Sequence, residues 1–122
     1  KRYPEAVVHP VRADFTRTLT LPRLDGIVMA NSLHFVREKA AIVAQTAALL
    51  KQGGRFIVVE YNTNRGNYAV PFPLDEGAFV RLATEAGLVQ AEIVSRIPST
   101  FLGEMYAGIA FTAKNPADFT KP

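Results

Sequence analysis

A chain of 122 residues that is 48% hydrophobic and 20% charged has the make-up of one soluble globular domain, long enough to bury a core without staples. It has no cysteine, which excludes disulfides and cysteine-based zinc or redox chemistry and fits a cytoplasmic protein. The net charge of +3 is spread over scattered basic residues, so no dedicated nucleic-acid surface is expected; His9 and His34 lack metal-ligand spacing, and no apolar run is long enough to span a membrane.

In chain order, Lys1 to Glu5 reads as the polar end of a helix or a connector. Ala6 to Ala13 has the β-branched content of a strand, with Pro10 confining it to an edge. Thr16 to Arg23 is a loop closed by Pro22, and Asp25 to Ala30 is a short apolar strand of the kind buried in a parallel sheet. From Val36, the residues Val36, Ala40, Val43, Ala47 and Leu50 trace one helical face, and Gly53-Gly54 is expected to stop that helix. Arg55 to Tyr61 follows as a second buried strand, completing a βαβ unit with a right-handed crossover.

Asn62 to Leu74 is an irregular segment of a length that is often functional. Asp75 is the expected N-cap of a helix whose apolar face carries Phe79, Leu82 and Ala86 and which Gly87 ends. Val89 to Ile97 and Glu104 to Lys114 read as strands joined by a wide antiparallel hairpin over Pro98 to Gly103, and Asn115 to Pro122 as a loosely held tail. The whole, residues 1–122, is read as one domain.

Three stretches then carry a likeness. RADFT (Arg12–Thr16), LDGIVMANSLHFV (Leu24–Val36) and LKQGGRFIVVEY (Leu50–Tyr61), followed by a helix and a terminal hairpin, resemble the C-terminal part of a class I S-adenosylmethionine-dependent methyltransferase. The resemblance implies an α/β fold: a partial Rossmann-like methyltransferase sheet of parallel strands with a C-terminal antiparallel hairpin, the first two strands being absent. In that family the strand order is 3-2-1-4-5-7-6. The glycine-rich turn after the first strand and the acid ending the second hold most of the cofactor. Neither is found in these 122 residues.

What the resemblance implies about residues follows. Asp14 and Phe15 would face the adenine; otherwise Asp14 caps a turn and Phe15 fills core. Ala30, Asn31 and Ser32 would meet S-adenosylmethionine at the end of the fourth strand, where open α/β sheets bind ligands; otherwise Asn31 or Ser32 is a helix N-cap. His34 is a candidate proton acceptor for the methyl acceptor, against a packing role. Glu60, Tyr61, Asn62, Tyr68, Phe101 and Tyr106 are candidate contacts for a small organic acceptor, which makes a small molecule the expected substrate.

Loss of the first two strands would leave the edge near Gly26 to Ala30 unpaired, and a homo-oligomer through that edge is expected. A non-catalytic fragment or self-associating module is therefore the alternative to an enzyme. A nucleotide-binding piece of a dehydrogenase is a third reading, against which the terminal hairpin argues.

Overall fold

The computed structural model describes residues 5–114. Its regular elements are β1 (Leu24–Ala30), a 3-10 turn (Leu33–Phe35), α1 (Lys39–Ala47), β2 (Leu50–Tyr61), α2 (Glu76–Glu85), β3 (Val89–Ser99) and β4 (Gly103–Phe111). The four strands form one sheet in the order β1-β2-β4-β3. β1 runs parallel to β2, while β4 is antiparallel to both β2 and β3, so the last strand of the chain inserts between two earlier ones. This is the arrangement of parallel strands and terminal hairpin expected from the sequence.

The alternation of side chains along β2 sets the layers. Phe56, Val58 and Glu60 are buried, and their β4 partners Ala110, Gly108 and Tyr106 are buried with them. Met29 of β1, Ile42, Val43 and Ala47 of α1, and Phe79 and Ala83 of α2 close the same core, which places both helices on one face of the sheet. On the other face Ile57, Val59, Ala107 and Ile109 are only half-buried, and Val28 is 63% exposed. Phe79 packs so tightly on the sheet that a Cβ at Gly108 would stand 2.5 Å and 2.6 Å from two of its ring carbons.

α2 is bounded by local chemistry at both ends. Asp75 accepts a hydrogen bond from the Ala78 N–H at 2.9 Å, satisfying one of the helix's free donors. Beyond its last turn the Gly87 N–H donates to Thr84 O and the Leu88 N–H to Ala83 O, both at 3.0 Å; Gly87 takes φ +85°, a left-handed conformation that costs glycine little.

Several boundaries differ from the sequence reading. Ala6 to Ala13 forms no strand: Val7, Val8 and Val11 are exposed and no described strand runs beside them, so β-branched content alone does not make a ladder there. α1 starts at Lys39 rather than Val36, because the chain first closes a 3-10 turn with Val36 N–H on Leu33 O. That helix ends at Ala47, before Gly53-Gly54, which lie inside β2, where the register jumps between the Leu24↔Leu50 and Gly26↔Arg55 pairs. There the Gly53 N–H donates to Thr112 O, and Gly54 O accepts from the Thr112 N–H. The hairpin between β3 and β4 is tight, since Ser99 already pairs with Gly103. The expected tail, Asn115 to Pro122, lies outside the described residues.

Candidate functional site

The carboxyl ends of β1 and β2 lie side by side, Ala30 opposite Val59, and the chain leaves both toward the same end of the sheet. After Ala30 it turns sharply: Asn31 takes φ +53° while its N–H donates to Val59 O at 2.9 Å. A non-glycine residue in this conformation is uncommon, and it holds the next residue, Ser32, close against β1. The Ser32 hydroxyl is buried and has no hydrogen-bond partner, the one such side-chain atom among the described residues. It caps no helix.

Ser32 lines a cavity of about 340 Å³ together with Phe15, Leu19, Leu21, Ile27 and Ala30. Three of the five residues assigned from sequence to a cofactor, Phe15, Ala30 and Ser32, thus come together on one apolar space. The other two do not reach it. Asn31 is exposed at its turn. Asp14 sits on an exposed turn, accepting from the Thr16 hydroxyl at 2.6 Å and the Thr16 N–H at 2.9 Å; those bonds hold its carboxyl below the usual value. Leu19 and Leu21, which the sequence reading passed over as loop, form part of the wall.

A second cluster centres on His34 and Glu60, both buried. The His34 ring donates from Nδ1 to Glu60 Oε1 at 2.7 Å, and its backbone N–H donates to Glu60 Oε2 at 3.2 Å. Both carboxylate oxygens are therefore used on one residue, which fixes the ring's orientation. His34 Nε2 has no partner among the described residues. The ring lies between Phe35, at 4.3 Å, and Tyr61, at 6.1 Å, and Tyr61 in turn meets Phe101 at 5.8 Å. The long segment after β2 closes over this cluster: the Phe72 N–H donates to His34 O at 3.0 Å, and Val70 and Leu74 plug into the interior.

Lys39 is a cation here that the sequence did not single out. Its ammonium donates to Val36 O at 2.7 Å; burial holds its pKa below the ordinary value, against the pull of the Glu60 charge.

The remaining acceptor candidates separate. Asn62 binds the Glu76 carboxylate and N–H and the Glu104 carboxylate, tying β2 to α2 and β4. Tyr106 faces the core, with its hydroxyl donating to Leu74 O at 2.6 Å, and burial drives its pKa strongly up. Tyr68 is 95% exposed. Tyr61 and Phe101 stay with His34. Among the described residues no group of His, Cys, Asp and Glu is arranged to hold a metal ion, and no helix is long and apolar enough to cross a membrane.

No protein-family model and no curated protein matches the chain. Solved structures do. A SAM-dependent methyltransferase from Thermotoga maritima, described as a possible histamine N-methyltransferase, superposes with a TM-score of 0.70 at 14% identity, over 84% of this chain and 63% of that one. The N-methyltransferase NodS from Bradyrhizobium japonicum, solved with S-adenosyl-L-homocysteine, gives 0.62 at 15% identity, over 82% and 52%. The CurJ carbon methyltransferase gives 0.60 at 18% identity, over 75% and 30%. The chain thus spans less than two thirds of each. At these identities the likeness establishes architecture: the chain has a partial Rossmann-like methyltransferase fold.

Proposed function

We propose that this chain is the C-terminal part of an S-adenosylmethionine-dependent methyltransferase domain that transfers a methyl group to a small organic acceptor. The observation that carries the reading is the meeting of Phe15, Ala30 and the unpartnered Ser32 hydroxyl on one cavity at the carboxyl end of β1, in a sheet ordered like that of the solved methyltransferases. That is where open α/β sheets take ligands. The fit to the cofactor is partial. A mainly apolar wall carrying the Ser32 and Thr46 hydroxyls suits a flat heterocycle, and the lining residues include no carboxylate for ribose hydroxyls or for an ammonium. Those partners belong to the part of the domain that carries the glycine-rich turn. The half-open second sheet face and the single-sided pairing of β1 support the same reading.

When bound, S-adenosylmethionine supplies an electrophilic methyl group, and the protein's work is binding and alignment. His34 takes the acceptor's proton through Nε2. Glu60 holds the imidazole with Nδ1–H as donor, leaving the lone pair on Nε2. Tyr61 and Phe101 extend the aromatic surface along which an acceptor lies. The similar structures include nitrogen and carbon methyltransferases, as expected of a scaffold that hosts many acceptors. A cytoplasmic location is part of this proposal and rests on the cysteine-free composition.

The test is calorimetric titration of the 122-residue chain with S-adenosyl-L-homocysteine, beside Ala30→Phe, which fills the cavity mouth. Saturable binding lost in the variant supports the reading. No binding by the parent chain favours the alternative, a non-catalytic, self-associating module, for which the free β1 edge is the specific observation.

A further inference from the structure

We propose that Lys39 is a positioning residue for the methyl transfer: its ammonium is the countercharge of the Glu60 carboxylate and keeps the His34 imidazole neutral, with Nε2 free to take a proton. The inference rests on the reading of His34 as the acceptor's base, and adds the residue that sets that base's charge state.

Lys39 stands where electrostatics alone would not put a cation. It is 9% exposed and is the first residue of α1. Burial penalises an ammonium, and the free N–H groups of a helix's first turn repel it. No acidic residue lies in that turn to offset the charge. The ammonium donates to Val36 O at 2.7 Å and stands 5.9 Å from the centre of the Phe72 ring. Neither contact neutralises it, and among the described residues no carboxylate forms a direct ion pair with it. The charge it answers to is that of Glu60, whose pull opposes the effect of burial on Lys39.

Glu60 has the complementary need. It is fully buried and uses both oxygens on His34, one on Nδ1 and one on the backbone N–H. Those bonds hold the carboxylate in place, yet they leave its charge unbalanced while the ring is neutral. The other titratable groups around the pair do not balance it. Tyr106, opposite Glu60 in β4, is held by burial far above its ordinary range, and Tyr61 carries no positive charge. Asp75 and Glu76, at the start of α2, are acids. Arg37 lies over the far end of this cluster, 4.9 Å from the Phe72 ring centre, but it is exposed, where water screens its charge. Lys39 is thus the buried cation of the cluster. Without it, the carboxylate is best balanced by a proton on the pair, which makes an imidazolium whose Nε2 can take no other.

Long-range nitrogen–proton NMR of the labelled 122-residue chain reads the His34 tautomer and the pH midpoint at which its ring gains a second proton. Exposed His9 is the internal control. Lys39→Met keeps the length of the side chain and removes its charge; the His34 midpoint should rise by about one pH unit, a tenfold change in proton affinity. Lys39→Arg should keep the parent midpoint, and His9 should move in neither variant. A His34 midpoint that shifts by less than about 0.3 unit in Lys39→Met overturns the proposal. So does an equal shift in Lys39→Arg, which would make the effect one of packing. The reciprocal measurement leaves Lys39 in place: in Glu60→Gln its Cε resonance should titrate at lower pH than in the parent, and an unchanged midpoint refutes the coupling. These readouts need no cofactor, so they can fail while S-adenosyl-L-homocysteine still binds, and can succeed where it does not.

Discussion

Replacing Glu60 by alanine removes the acceptor for two buried donors, the Nδ1–H and the backbone N–H of His34. The ring neighbours of His34 are Phe35 and Tyr61, and its carbonyl is already an acceptor for Phe72. Each buried donor left without a partner costs about 1–3 kcal/mol. With two such donors, Glu60→Ala should lower the unfolding free energy by roughly 2–6 kcal/mol, a large share of the ~5–15 kcal/mol typical of a domain. Glu60→Gln keeps one carbonyl acceptor in place and should cost about 1–2 kcal/mol. Urea unfolding followed by circular dichroism measures both, with the slope unchanged if the native state is otherwise intact. A loss below about 1 kcal/mol for Glu60→Ala, no larger than an ordinary substitution, would refute the reasoning. It would mean that water or a small shift of the ring satisfies His34 without the carboxylate.

Gly108→Ala should destabilise by about 1–3 kcal/mol, because its Cβ would overlap the Phe79 ring; Phe79→Leu in the same chain should recover part of that loss in a double-mutant cycle. Gly87→Ala meets no atom within 4 Å, so its cost, about 1–2 kcal/mol by thermal unfolding, should come from the left-handed backbone alone. The Arg96 guanidinium, with help from Asn62, holds the Glu76 carboxyl below its ordinary 4.5. The stability it contributes is thus full above that pH and lost as pH falls through the folded-state value; Arg96→Gln should flatten that acid limb. Burial holds Lys39 below its ordinary 10.5, so the folded state releases that proton first and stability should rise as pH climbs through the window beneath 10.5. Lys39→Met should abolish this rise in urea titrations at successive pH values.

What the sequence made legible follows the range of the interaction that decides each feature. α2 was bounded correctly because its ends are set within three residues, by Asp75 on Ala78 and by Gly87 on Thr84. The strands followed from apolar runs and the hairpin from the absence of a helix between β3 and β4, whereas their order came from the family resemblance. Ala6–Ala13 shows the opposite case: strand composition is local, but a strand exists only beside another, and no described one lies there. His34 and Glu60 were each singled out, yet their pairing was not visible. They are 26 residues apart, and what joins them is the parallel register of β1 on β2. The same register logic removed Tyr106 from the acceptor surface, since its place opposite Glu60 in β4 turns it to the helix-covered face. Leu19 and Leu21 gave no signal because apolar residues in a loop have no period to read.

The two faces of the sheet explain why the best-formed polar cluster and the cofactor cavity differ in completeness. On the face that carries the helices every layer is present, so Glu60 is enclosed and both its carboxylate oxygens are used on His34, whose Nε2 alone is left without a partner. The cavity instead sits beside β1, the last described strand on that side of the sheet, and the buried Ser32 hydroxyl that lines it is left without a partner. A parallel pair such as β1 and β2 is normally buried on both faces, and here Val28, Ile57 and Val59 line the uncovered one. Whatever pairs with β1 meets the cavity and this face at their shared border. The pairing of that edge therefore sets how far Phe15, Ala30 and Ser32 are enclosed, and hydrogen exchange at Gly26–Ala30 measures it.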